Sequence, residues 1–542
     1  MSHARSNQVR LLAPDQETDA EAVVNCLLSG STTGVPEYLV DDIAAVRAQS
    51  TLGKVQIPGE GGVLLDGIAA WPLAQGPHPL IVLPAGLDPA GWKMYSGAII
   101  RLLIRGYAVI AYTERGLPGS EGELTVAGPE DVYDGSHVID WALAHSQLNA
   151  DPDRIGMAGI SYGSGISQLV AQADVRVKAV VALSTWADLG AALYDNGTRH
   201  TAAAEALAAI SDRPSGELLK VLDDFRADTN IEQVLDYAHR RSPAHLPELR
   251  AVPTFFTSFW HETIFPQNQL LTFFDRYPGP KRLDLAVGDH GAVEIPGLLL
   301  GVYTRTTEAA YAWFDRYLRG IDNGIDRDGA VHTESMHTFG TAAATDLESW
   351  MRPARRYYLT APNGQSPDGA LSLEAPADFG QSFQAGGQQV QAVTTLVMDG
   401  FRERLLVPHR QQLAEVDRSA GAVWSTHSFA QPQHLAGIPE VALTLATSAD
   451  SATVIAYLFD LNPFTGAMRI ITHAAATVQN ESGQPSELRI QLQATDYHIP
   501  IGHKLVLITD ARDLLYFYPD QPDTGGTVTL SGPAYVDIPV AS

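Results

Sequence analysis

Four short runs of uninterrupted apolar residues most constrain what this chain can fold into: Leu80-Ile81-Val82-Leu83, Tyr107-Ala108-Val109-Ile110-Ala111, Ile155-Gly156-Met157-Ala158 and Ala179-Val180-Val181-Ala182-Leu183. A strand with one wet face alternates apolar and polar residues, whereas an unbroken run of this length belongs to a strand covered on both faces. Helical stretches separate the runs. Between Pro129 and Ser146, Val132, Ile139, Ala142 and Leu143 recur at helical spacing, with Glu130 and Asp131 in the first turn, where acids complement the helix dipole. Strand, helix, strand in this order predicts right-handed crossovers and a parallel sheet, hence an α/β fold. The pattern resumes at Val252-Pro253-Thr254-Phe255-Phe256-Thr257 and Leu283-Asp284-Leu285-Ala286-Val287, and a final helix from about Thr306 to Arg319 stops at Gly320.

At 542 residues the chain exceeds one compact core, and three departures from the alternation divide it. Residues 1–53 read as short helices that precede the first strand pattern at Lys54 and pack on the core. Residues 54–344 form the α/β domain. Within it, residues 186–250 are rich in Ala and Leu at helical spacing, a helical cap inserted over the carboxyl ends of the strands. From residue 345 to 542 short strand-like runs such as Val454–Phe459 and Lys504–Ile508 alternate with Gly, Pro, Asn and Asp turns, which predicts an all-β sandwich.

The chemistry centres on Gly159-Ile160-Ser161-Tyr162-Gly163. Alone the pentapeptide is a weak signal, but it follows a buried strand and opens a helical stretch, the strand–turn–helix elbow that exposes a nucleophilic serine. A serine hydroxyl needs a base, itself oriented by a carboxylate, and in this fold the order is Ser, acid, His. His290, in Val287-Gly288-Asp289-His290-Gly291, directly follows a late core strand and is the expected base. Glu262, the one carboxylate in the loop from Ser258 to Pro266, is the expected acid; Asp289 is the rival, but a short side chain beside the histidine reaches its inner ring nitrogen poorly. The oxyanion needs pre-aimed donors. The Tyr162 N–H is one, and Ala85 or Gly86, in the loop after the Leu80 run, supplies the second. Trp92, Tyr95, Trp186, Phe259 and Trp260 lie near these loops in sequence and are expected to line an apolar acyl pocket.

The formal charge of −26 argues against nucleic acid and against an anionic membrane surface. The single cysteine, Cys26, sits on an apolar helix face and reads as a buried structural thiol; no intramolecular disulfide and no thiolate zinc cluster can form. No secretory leader pattern is present, so a cytoplasmic location is expected. No phosphate-cradling loop and no His/Cys metal cluster is evident, and no cofactor is expected. The expected partner is a small-molecule or short-peptide acyl substrate, with a homo-oligomer left open.

Several stretches resemble the family of cocaine esterase, X-Pro dipeptidyl peptidase and the α-amino acid ester hydrolases. They are Arg105-Gly106-Tyr107-Ala108-Val109, Glu114-Arg115-Gly116, Gly119-Ser120-Glu121-Gly122, Asp134, Trp141 and the elbow, then Phe314–Gly320, Ala456–Asp460 and Pro500–His503. The resemblance runs from about residue 54 to the C-terminus. It implies an α/β-hydrolase core followed by a jelly-roll domain, with Ser161 as nucleophile, Glu262 where the family usually has aspartate, and His290 as base. It also implies a tyrosine in the oxyanion loop where Ala85 stands here, which shifts the expectation to a backbone donor. The resulting expectation is a serine hydrolase acting on an ester or amide through an acyl-enzyme. An acyltransferase using the same intermediate, an X-Pro-type dipeptidyl peptidase, and a binding protein on a hydrolase scaffold are the alternatives.

Overall fold

A computed structural model describes residues 14–364, 366–479, 484–518 and 526–540. The unbroken apolar runs become the centre of a sheet with ten strands among the described residues: β1 (Ser50–Pro58), β2 (Leu64–Pro72), β3 (His78–Pro84), β4 (Ala108–Tyr112), β5 (Ala150–Ile160), β6 (Val177–Leu183), β7 (Thr254–Phe259), β8 (Lys281–Ala286), β9 (Val331–Glu334) and β10 (Thr341–Ala344). Their spatial order is β1-β2-β4-β3-β5-β6-β7-β8-β9-β10. Every residue of β3, β4 and β7 is buried, as strands with helices on both faces must be. The sheet is parallel from β4 through β9. It is not parallel throughout: β1–β2, β2–β4 and β9–β10 pair antiparallel, the first and last as hairpins at the sheet edges and β2–β4 between strands that are not consecutive in the chain.

The N-terminal segment forms two helices, α1 (Pro14–Ser29) and α2 (Glu37–Gln49), and β1 starts at Ser50 rather than Lys54. Val23, Leu27, Leu39 and Ile43 of these helices are buried in one cluster with Ile99, Leu102 and Leu298. Cys26 is buried there as a free thiol. Further along, α3 (Ser96–Ile104), α4 (Pro129–Ala144) and α5 (Tyr162–Ala173) cover the sheet. The cap holds α6 (Leu189–Leu193), α7 (Thr201–Ala208), α8 (Gly216–Ala227) and α9 (Ile231–His239), with a two-residue hairpin at Tyr194–Asp195 and Thr198–Arg199 that the sequence pattern did not suggest. After β8 come α10 (Ile295–Leu300) and α11 (Arg305–Arg319); Gly320 ends the latter with φ 68°, a left-handed cap.

The C-terminal part is a β-sandwich. Its long strands Ser451–Leu461 and Ala467–Gln479 form one half and Glu440–Thr447 and Thr527–Pro539 the other. A short helix, α12 (Met398–Arg404), interrupts this all-β texture and reaches back to the first domain. Among the described residues no helix is long and apolar enough to cross a membrane.

Arg101 joins the helices around α3: its guanidinium donates to the Gly301 carbonyl at 2.7 and 2.9 Å and to Asp42 of α2 at 2.7 Å. Beside it the backbones nearly touch, for a Cβ on Gly97 would stand 2.0 Å from the Gly301 nitrogen and 2.9 Å from the Gly297 oxygen. Neither obstacle is a side chain that can swing away. Gly97→Ala is therefore expected to destabilise the fold by roughly 1–3 kcal/mol, as overpacked sites do, read as a lower urea midpoint with unchanged slope.

Candidate active site

Ser161 stands between β5 and α5 with φ 55° and ψ −120°, a conformation L residues rarely hold. Its N–H donates to the Leu183 carbonyl at 2.9 Å, which ties the turn to the neighbouring strand. The flanking glycines are explained by space. A Cβ on Gly159 would meet the Gly163 carbonyl at 2.2–2.3 Å, and one on Gly163 would stand 2.0 Å from the Pro84 oxygen. Three backbone segments meet at these two positions.

Glu262 lies just after β7 and His290 just after β8, both at the same end of the sheet as Ser161. His290 Nδ1 lies 2.8 Å from Glu262 Oε1. That oxygen also accepts the N–H groups of Ile264 at 3.1 Å and Phe265 at 3.2 Å, so the loop fixes the carboxylate while the carboxylate fixes the ring. The other ring nitrogen, Nε2, is buried and makes no hydrogen bond. Burial works to lower the His290 pKa, but the Glu262 charge and hydrogen bond outweigh it and hold the pKa above 6.5, with Glu294 and Asp289 adding to the effect.

Asp289 makes no bond to the ring. Its carboxylate accepts the backbone N–H groups of His290 at 2.7 Å and Thr263 at 2.8 Å, together with the Thr263 hydroxyl. Burial and the neighbouring Glu262 charge raise its pKa. Glu294, buried behind the loop, accepts the hydroxyls of Ser184 and Thr257; burial pushes its pKa from 4.5 to about 7. Sequence reasoning gave Glu294 no role. Its signal is a carboxylate in an otherwise apolar stretch that leads into α10.

The oxyanion expectations divide. Tyr162 is the first residue of α5, where N–H groups have no acceptor inside the helix. Ala85 does not fit, because its N–H donates to the Tyr112 carbonyl at 3.0 Å and continues the sheet. Gly86 N–H faces Met94 Sδ at 3.3 Å, a weak acceptor.

A pocket of about 1000 Å³, counting its open mouth, reaches Ser161 and Tyr162. Of the five aromatics expected to line it, only Trp186 does. Trp92 is buried under α3 with its indole N–H on Asp66, 2.8 Å away. The Tyr95 hydroxyl donates to the Pro84 carbonyl at 2.8 Å and accepts the Ile160 N–H at 3.1 Å, bracing the elbow from behind. Phe259 packs on Ala286, Ala292 and Val293 beneath the histidine loop. Trp260 stacks on Trp350 and donates to the Glu334 carbonyl at 2.6 Å, facing the β-sandwich. Each points into packing because strand and helix periodicity turns neighbours in sequence to different faces. The walls come instead from Leu87, Phe265 and the cap, through Leu189, Leu207, Leu218 and Val234.

Among the described residues the fold also gathers two groups with metal-ligand atoms within 4.8 Å of one another, Asp188/His239/His245 and His434/Asp496/His498, which sequence spacing did not reveal. In both, a histidine bonds the carboxylate, His245 to Asp188 at 2.7 Å and His434 to Asp496 at 2.8 Å. Neither group includes Ser161, Glu262 or His290.

Fold and site together define the class, an α/β hydrolase with a helical cap and a C-terminal β-sandwich. Residues 61–292 match the model of the X-Pro dipeptidyl-peptidase (S15) family, and residues 323–537 match the X-Pro dipeptidyl-peptidase C-terminal non-catalytic domain. The two matches span most of the chain, which belongs to this family of serine-type hydrolases. The cocaine esterase of a Rhodococcus species is 23% identical over 88% of this chain and 93% of its own length. A Bacillus anthracis protein assigned by name to the Xaa-Pro dipeptidyl-peptidases is 22% identical over 79% of this chain and 72% of its own. Among solved structures, an α-amino acid ester hydrolase superposes with a TM-score of 0.68 at 18% identity, covering 95% of this chain and 100% of that one; at that identity the likeness speaks for the fold.

The Glu262–His290 contact has a direct signature. In an NMR titration the His290 ring is expected to protonate with a midpoint above 6.5, and Glu262→Gln is expected to move that midpoint down, since the carboxylate charge is what raises it.

Proposed function

We propose that this hydrolase cleaves an ester or amide bond through an acyl-enzyme on Ser161, with His290 as general base and acid and Glu262 as the orienting carboxylate. One observation carries the reading: the 2.8 Å contact of His290 Nδ1 with a carboxylate that two backbone N–H groups hold still, on the loops beside the strained serine. With Nδ1–H held by Glu262, Nε2 carries the lone pair that removes the serine proton.

Ser161 Oγ then bonds to the substrate carbonyl carbon, and its proton passes to His290 Nε2. The negative charge on the carbonyl oxygen falls to the Tyr162 N–H at the start of α5, with the Gly86 N–H as second donor once it turns from its weak sulfur acceptor. The imidazolium, stabilised by Glu262, gives its proton to the departing alcohol or amine, and the carbon–leaving-group bond breaks. Water repeats the sequence on the acyl-enzyme: its oxygen bonds to the acyl carbon, Ser161 leaves, and the proton returns to it through His290.

The test is a set of variants under a fluorophosphonate probe and a chromogenic ester. Ser161→Ala is expected to lose both labelling and turnover, the latter by roughly 10⁴-fold or more, and His290→Ala to fall comparably. Glu262→Gln is expected to lose about 10³–10⁴-fold in kcat, well beyond the loss in Asp289→Asn, whose carboxylate touches no ring nitrogen. Full turnover in His290→Ala, or a greater loss in Asp289→Asn than in Glu262→Gln, would overturn the assignment.

A further inference from the structure

The pocket beside Ser161 has a composition that narrows the substrate, and this step rests on the acyl-enzyme reading. Among the described residues its lining contains no Asp, Glu, Lys, Arg or His. The polar atoms it does contain are largely taken by the protein. The Tyr162 hydroxyl accepts the Ala127 N–H at 2.9 Å, and the Trp186 indole donates to the Arg241 carbonyl at 2.9 Å. The Tyr237 hydroxyl donates to the Thr125 carbonyl at 2.7 Å, and the Ser211 hydroxyl to that of Gly116 at 2.8 Å. All four cap helices contribute leucine, valine, alanine or phenylalanine to the remaining wall.

Such a wall cannot receive an ammonium group. An amine buried there would lose its hydration and find no carboxylate in return, a penalty of several kcal/mol. A chain of methylenes meets the opposite balance, since each one removed from water is worth about 0.8 kcal/mol.

The pocket also has a side. It is lined by Ser161, by Tyr162, the first residue of α5, and by Leu87 of the adjoining loop, but not by His290. The leaving group takes its proton from His290 Nε2 and must lie toward that ring. The part of the substrate directed into the pocket is therefore the acyl group.

We infer that this enzyme acts on neutral esters with a long apolar acyl chain, of the order of eight carbons or more, rather than on acyl groups that carry a free α-amine. The reaction consumes ester and water and yields a fatty or arylalkyl carboxylic acid and an alcohol, with no redox partner.

The experiment uses the unmodified full chain and p-nitrophenyl esters that share one leaving group. From acetate to octanoate, kcat/KM is expected to rise about two- to fourfold per added methylene. An ester of 8-aminooctanoic acid, which places an ammonium at the far end of the same chain, is expected to react at least a hundredfold more slowly than the nonanoate of matched length. A flat or falling chain-length profile, faster cleavage of the ammonium-bearing ester, or a preference for Gly-Pro p-nitroanilide would overturn the inference. Fluorophosphonate labelling of Ser161 separates the two levels: labelling with a flat profile sinks the acyl pocket alone, whereas absent labelling sinks the serine reading beneath it. As a second arm, Ala208→Trp fills the wall of α7 and is expected to cut the octanoate-to-acetate ratio at least tenfold; an unchanged ratio in a variant with native circular dichroism counts against the pocket.

Discussion

The backbone of Ser161 is the constraint on which the rest of the site depends. Holding a non-glycine residue at φ 55°, ψ −120° costs on the order of 1–3 kcal/mol, and the surroundings must over-determine it. They do so by contact. Gly159 and Gly163 leave no side-chain volume where β5, α5 and the end of β3 converge, the Ser161 N–H is held by Leu183, and the Tyr95 hydroxyl bridges the Pro84 carbonyl to the Ile160 N–H. That close approach brings the loop after β3 against the start of α5, the two segments from which the proposed oxyanion donors come.

The electrostatics around His290 follow from crowding of a different kind. Glu262, Asp289 and Glu294 are all buried, and the charge of each acts on the ring. Three ionised carboxylates so close in a medium of low dielectric would repel one another and stay poorly solvated. The outcome is a division of labour. Glu294 is pushed up to about 7 and is held by two hydroxyls, and Asp289 is raised and turned back onto the backbone N–H groups of its own loop and of Thr263. Glu262 alone meets the ring. In the proposed reaction the imidazolium thus has one well-placed carboxylate to stabilise it, while the other two are tied into the loop that carries it.

What the sequence discloses and what it hides have a common cause. Buried strands, the elbow and the loops after β7 and β8 are local patterns, and their residues can be named from order and spacing alone. The pocket is different. Trp92, Tyr95, Phe259 and Trp260 are near the catalytic loops along the chain yet face packing interiors, while Leu207 and Val234 are far away in sequence and come to Ser161 only because the cap folds over the sheet. Ala85 is misread for the same reason, since nothing in its sequence says that the Tyr112 carbonyl takes its N–H. The short helix α12 is hidden in turn-rich sequence, and its importance lies wholly in what it touches.

That contact answers a question the glutamate raises. A glutamate has one more rotatable bond than the aspartate usual in the family, and freezing it costs more conformational entropy. Part of the restraint comes from the Ile264 and Phe265 N–H groups. The rest comes from the β-sandwich. Val397 N–H donates to the Thr263 hydroxyl at 3.2 Å, and Asn268 exchanges hydrogen bonds with Leu492 and Ala494 at 2.9 and 2.8 Å. Gly400 lies so close that a Cβ there would stand 2.3 Å from the Asp289 nitrogen. The C-terminal domain therefore clamps both the acid loop and the histidine loop from outside. In the proposed triad a longer acid arm is workable when the segment it springs from cannot drift, and in this chain contacts from the C-terminal domain supply that rigidity.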